Sequence, residues 1–148
     1  MDFMNYLTDL ANISIYVVLG LVIMLFGSFA VDLVIPCSFP EEIKKKNQAV
    51  GWISAGAYIA TGFIIRSVIA SPAVANATDQ VINLYGLVSS TIYSLIGIAF
   101  LVLGYIVVKL FNRKYDLNKE IGEGNAAAGI MVFGIFVGLS MIVSGAIA

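Results

Sequence analysis

The chain has 148 residues, room for one domain, and is 60% apolar and 11% charged with a mean hydropathy of +0.98. A formal net charge of −1 argues against the concentrated basic surface that nucleic acid requires, so no nucleic-acid partner is expected. There is no histidine and a single cysteine, Cys37, which excludes a disulfide framework within the chain and a multi-thiolate metal site; no metal or cofactor is implied.

Residues 1–12 carry Asp2 and Asp9 but no Lys or Arg, so they lack the basic start of a signal peptide and are expected to be retained. Phe3, Met4, Tyr6, Leu7 and Leu10 recur there at helical spacing, which suits a short interfacial helix or an unstructured lead-in. Four apolar runs, 13–35, 48–70, 86–108 and 125–147, then meet the roughly 20-residue criterion for a bilayer span. The expected class is all-α, a polytopic membrane protein with four transmembrane helices.

Between the first two spans, Ser38-x-x-Glu41 has the pattern of a capping box, with Pro40 in the first turn of the helix it would open. The second helix is expected to begin there and to run on, so that Asn47 lies inside it. Asp116 holds the equivalent place before the fourth span and is also a good N-cap. The middle link, 71–85, has no Lys or Arg and carries Asn76-Ala77-Thr78, a short match to a glycosylation sequon. The two charged links hold Lys44, Lys45, Lys46, Lys109, Arg113, Lys114 and Lys119, and only Arg66 lies towards the other side. This positive-inside bias predicts cytoplasmic charged links and both termini outside. Lys44, Lys45, Lys46, Arg113 and Lys114 are placed to meet anionic lipid head groups.

One polar pattern is written twice. Glu42-Ile43, Asn47, Ala49, Gly51 and Gly56 recur as Glu120-Ile121, Asn125, Ala127, Gly129 and Gly134, each 78 residues later. Ile15-Tyr16, Gly20, Gly27 and Val31 recur at an offset of 77 as Ile92-Tyr93, Gly97, Gly104 and Val108. The chain therefore divides into a lead-in (1–12), a first two-helix repeat (13–70), an exterior link (71–85) and a second repeat (86–148). A unit of two spans returns to its starting side, so its duplicate inserts in the same orientation. The expectation is a pair of parallel repeats about a pseudo-twofold axis along the membrane normal.

The two-unit layout and the repeated E-I-x3-N-x-A-x-G pattern resemble the bacterial inner-membrane proteins of domain of unknown function 350, the YjfL-like proteins. In that family an Asn followed by small residues starts the even-numbered helices. The matching residues are Asn47 with Ala49, and Asn125 with Ala126, Ala127 and Ala128; Gln48 and Val50 depart from the more Ala- or Thr-rich family run. The resemblance implies a four-span prokaryotic membrane protein and supplies no catalytic residues.

Asn47, Gly51, Gly56, Asn125, Gly129, Gly134 and Gly138 are candidates for helix packing or for lining a path, since small residues let transmembrane backbones approach and Asn bonds across helices. Ala127, Met141 and Gly145 extend the Gly134-x-x-x-Gly138 stripe. Arg66, about a turn from the end of its span, is a candidate interfacial or anion contact. Asp32 and Lys109, at equivalent points of the two repeats with opposite charge, form a candidate ion pair. Asp32 is the only span carboxylate and lies too near the cytoplasmic end to serve as a rotor-ring or exporter carboxylate. No enzyme is expected. Two functions remain: an oligomeric structural or adaptor component of the inner membrane, with lipid or a protein partner of unknown identity at its charged links, or an oligomeric channel for ions or small solutes.

Overall fold

The computed structural model describes residues 3–71, 84–112 and 114–147. Among these, helix is the only regular structure: α1 (Phe3–Val34), α2 (Phe39–Lys44), α3 (Gln48–Ala70), α4 (Leu84–Phe111), α5 (Leu117–Gly122) and α6 (Ala126–Ile147). Four of them, α1, α3, α4 and α6, are long and apolar enough to cross a membrane. The sequon Asn76-Ala77-Thr78 lies outside the described residues, as does Arg113.

The lead-in is neither a separate helix nor unstructured, because α1 begins at Phe3 and runs unbroken for 32 residues. At 1.5 Å per residue that is ~48 Å, well beyond the ~30 Å of a hydrocarbon core, so α1 overshoots or tilts. No Gly or Pro stands between Phe3 and Leu19 to interrupt it.

The second helix starts later than the sequence suggests. The capping-box segment forms only the short α2, which ends at Lys44; Lys46 then takes a left-handed turn at φ 62° and Asn47 becomes the N-cap of α3. The same sequence of events follows α5, where Gly124 is left-handed at φ 82° and the side chain of Asn125 accepts from the Ala127 N–H. Both bounds of α2 and α5 are 78 residues apart, like the motif itself.

Helix α3 is the most buried span and packs most extensively along α6. Their first turns meet where Gly129 abuts Ala49, and the next turns where Gly56 abuts Phe133, so the two helices run side by side in the same direction. Helix α1 reaches α3 where Gly27 faces Thr61, and α4 reaches α6 where Gly104 faces Leu139, the same contact one repeat later. The core along this seam includes Ala49, Val50, Ile53, Ala57, Val132 and Phe136. The outer faces of α1 and α4 leave Val18, Leu25, Phe29, Ile92, Phe100 and Leu103 exposed, as a lipid-facing helix should.

Candidate functional site

The polar groups of the bundle gather at the end formed by α2, α5 and the first turns of α3 and α6. Asn47 holds this end together. Its Oδ1 accepts from the Val50 N–H at 3.1 Å, capping α3, while its Nδ2 donates to Glu42 Oε2 at 2.9 Å and to the Ile121 carbonyl at 2.9 Å. The Gly122 carbonyl lies 3.5 Å from the same nitrogen. One side chain, 9% exposed, thus caps its own helix, ties it to α2, and adds a second donor to the Ile121 carbonyl at the end of α5, which also accepts from the Gly124 N–H. Its position at a cap, not inside a helix, is what frees Oδ1 and Nδ2 for this work.

Asn125 repeats only the local half. Its Nδ2 donates to Glu120 Oε2 at 2.6 Å and its Oδ1 caps α6 at Ala127, but the side chain is exposed and, among the described residues, bonds to no carbonyl across the bundle. The glycines divide the same way. A Cβ on Gly129 would stand 2.5 Å from the Ala49 Cα, and one on Gly56 2.9 Å from the Phe133 Cα, backbone contacts that a side chain could relieve only by shifting the helices apart. Gly51, Gly134 and Gly138 face open space within this chain, as does Gly145, and Ala127 and Met141 are exposed. Among the described residues, the glycines of the outward α6 stripe therefore have no packing neighbour. A pseudo-twofold would have set Gly51 on Ala127 as it sets Ala49 on Gly129; the seam instead joins one face of α3 to the other face of α6.

Within the chain, Asp32 and Lys109 do not pair, which leaves only the expectation of a pairing between neighbouring subunits. Asp32 Oδ1 accepts from the Phe39 N–H at 2.9 Å, serving as the cap of α2 from the preceding helix, and Lys109 is exposed. Ser38 sits at the N-cap but its hydroxyl makes no capping bond: Pro40 has no N–H, and the Glu41 and Glu42 N–H groups go to the Ser38 carbonyl. Asp116 does cap α5, through Asn118 and Lys119. Arg66 is exposed beside a lipid-side groove of about 550 Å³ between α1 and α3, which it lines with Asn12 and Tyr16.

Glu42 is held below the ordinary glutamate range by hydrogen bonds from Lys45 at 2.8 Å and from Asn47. Lys45 is raised in turn, chiefly by that bond to Glu42. Burial, with the charges of Glu42 and Asp32, pushes the Cys37 thiol up, which makes it a poor nucleophile at neutral pH.

Three features were not read from the sequence. The left-handed Lys46 carries no signal of its own, though Gly124 at the equivalent place announces it. Buried Tyr105 donates to Asn118 at 2.5 Å, linking α4 to α5. Ser90, Ser94 and Ser144 bury hydroxyls that have no hydrogen-bond partner among the described residues, in the parts of α4 and α6 remote from the charged links.

The family described as Domain of Unknown Function (DUF350) matches residues 4–147. The chain belongs to that family. Among curated proteins, the UPF0719 transmembrane protein YshE of Bacillus subtilis (strain 168) is 24% identical over 139 residues, covering 94% of this chain and 95% of that protein. No solved structure matches this DUF350 chain. Neither comparison points to an enzymatic family, and the chain is, with its four membrane-capable helices, a transmembrane protein of unestablished activity.

Proposed function

We propose that this DUF350 protein is an oligomeric structural or adaptor component of the prokaryotic inner membrane, with both termini outside and its clasped end in the cytoplasm. The observation that carries this reading is the Asn47 clasp. It ties α2, α3 and α5 into one rigid platform, around which Lys44, Lys45, Lys46, Lys114 and Lys119 stand exposed. A fixed display of basic side chains suits anionic lipid head groups or an acidic protein partner. The recurrence of short helix, left-handed residue and Asn cap at an offset of 78 supports reading the chain as two parallel repeats.

The spans supply little for transport: among the described residues their interior-facing polar groups are hydroxyls, and Arg66 and Lys109 are exposed. The partnerless Ser90, Ser94 and Ser144 favour a second reading, an oligomeric channel or small-solute permeation protein in which those hydroxyls face a path. Reconstitution into liposomes separates the two. An adaptor gives no specific ion or solute flux, and flux abolished by replacing Ser90 and Ser94 with Ala would establish the permeation reading instead.

A further inference from the structure

The seam between α3 and α6 uses one half of each copy of the repeated motif and leaves the other half bare. On α3, Ala49, Ile53 and Ala60 are fully buried and Gly56 is closed by Phe133, all against α6 or within the core beside it. Their counterparts 78 residues on are Ala127, Met131, Gly138 and Gly134, of which only Met131 is half-buried and the rest are exposed. On the opposite side the pattern inverts. Gly129, Val132, Phe136 and Ser140 of α6 are buried, whereas the corresponding Gly51, Ser54, Tyr58 and Gly62 are half-buried or exposed. The short helices agree: Ile121 is 0% exposed and its counterpart Ile43 is 48% exposed.

The hydrogen bonds follow suit. Asn47 reaches the carbonyls of Ile121 and Gly122, while Asn125 stands exposed and the corresponding carbonyls would be those of Ile43 and Lys44. Each bare face also borders a hollow: about 300 Å³ beside Asn125, Ala127 and Met131, and about 420 Å³ beside Ile43, Ser54 and Tyr58. A face with the Asn, small-residue and glycine pattern of α3 is therefore open on α6, and a face with the glycine pattern of α6 is open on α3.

We infer that the bare α6 face of one chain docks on the bare α3 face of a second copy, repeating between subunits the seam that joins α3 to α6 within a subunit. In this contact Gly134 lies against Ala55 of the next copy as Gly56 lies against Phe133, and Ala127 lies against its Gly51 as Ala49 lies against Gly129. Asn125 donates to its Ile43 carbonyl. The two surfaces are different, so the contact is head-to-tail, and head-to-tail contacts that turn each subunit about the membrane normal by a fraction of a full circle close into a ring. Repeats then alternate around the ring, first and second, with one kind of seam throughout. This rests on the oligomeric part of the proposed function and names the surface that makes the oligomer.

The internal seam supplies the ruler for a test. A Cβ on Gly56 stands 3.4 Å from the Phe133 Cβ, close to the spacing of a disulfide. With Cys37 replaced by Ser, the double variant Ala55→Cys/Gly134→Cys is oxidised in native membranes and run on a denaturing gel. The expected result is a ladder of covalent multimers ending at one discrete size. Either single variant alone stays monomeric, and a mixture of the two gives dimers and nothing larger. The control Gly56→Cys/Phe133→Cys links within the chain. Self-linking of a single variant, or a double variant that stays monomeric while the control links, overturns the proposal, the latter being the result if lipid or another protein covers these faces. Failure of the control to link removes the template and overturns it too. Native mass spectrometry of the unmodified protein from nanodiscs distinguishes the levels: multimers without Ala55–Gly134 linkage sink this surface alone, and monomers sink the oligomeric reading with it.

Discussion

Asn47 and Asn125 share a sequence context and differ in what their side chains reach, so they should differ in cost. Removing Asn47 deletes a cap and the cross-bundle bond to the Ile121 carbonyl, which is left with the Gly124 N–H alone, a loss of about 1–3 kcal/mol. Asn125→Ala deletes a cap in the open and should cost about 0.5–1 kcal/mol. Thermal unfolding in a detergent that holds the protein monomeric measures both, and equal losses would contradict the clasp. Asn47→Asp keeps the acceptor for Val50 but surrenders the donor, so it should fall near Asn47→Ala. Glu42 adds a pH dependence. Its carboxyl is depressed in the folded protein, so its contribution is complete above the unfolded-state range and is lost as pH falls through the lowered folded value. Unfolding temperature should therefore hold steady from neutrality to the ordinary glutamate range and decline only below it, and Asn47→Ala should make that decline smaller by bringing the folded value closer to the unfolded one. Lys46 occupies a left-handed conformation that an L side chain adopts at a cost, and Gly124 does the same work without one. Lys46→Gly should raise stability by about 0.5 kcal/mol, the gain being trimmed by the looser unfolded chain. The duplicated Asn was legible in the sequence, but its inequality was not, because which of two equal motifs is covered depends on tertiary packing.

At the scale of the helix, the glycines rank themselves by what a side chain would strike. Gly56→Leu and Gly129→Ala meet backbone across the seam and should each destabilise the monomer by about 1–3 kcal/mol through overpacking. Gly134→Leu meets nothing in its own chain and should leave monomer unfolding unchanged. Chemical denaturation of the three variants in detergent checks the order; a loss for Gly134→Leu equal to that for Gly56→Leu would place α6 the other way round. The spans themselves were readable because bilayer-length apolar runs have few alternatives. The break between α2 and α3 was not, since Glu-Ile-Lys-Lys-Lys-Asn is built of residues that helices accept. The second copy held the missing signal: Gly122 and Gly124 ahead of Asn125 read as a helix end followed by an N-cap, and the offset of 78 carries that boundary to Asn47.

For the whole molecule, the distribution of Lys and Arg predicts the sidedness of the clasped end. In a Cys37→Ser background, a cysteine at Lys114 should react only with reagent supplied from the cytoplasm, and one at Ala148 only with reagent from outside. The reverse pattern would invert the topology and move the lysine platform to the other face. The repeat was visible as an offset, yet the pseudo-twofold inferred from it was not the arrangement adopted. Two equivalent helices that run in parallel can pack like face on like face or front on back, and sequence similarity is silent between these. Ala49 against Gly129 with Gly51 left open decides for front on back.

The clasp also orders the birth of the protein. Glu42, Asn47 and Val50 are all made early, but the carbonyls of Ile121 and Gly122 come 74 and 75 residues after Asn47, beyond the whole of α4. Until then the first hairpin carries a capped helix with a small-residue flank and no mate, a half-finished nascent chain with an adhesive side. A ribosome stalled before α5 should hold such an intermediate, and its first hairpin should be open to membrane chaperones and to quality-control proteases. Release of the completed chain, by closing the seam, removes that vulnerability in one step.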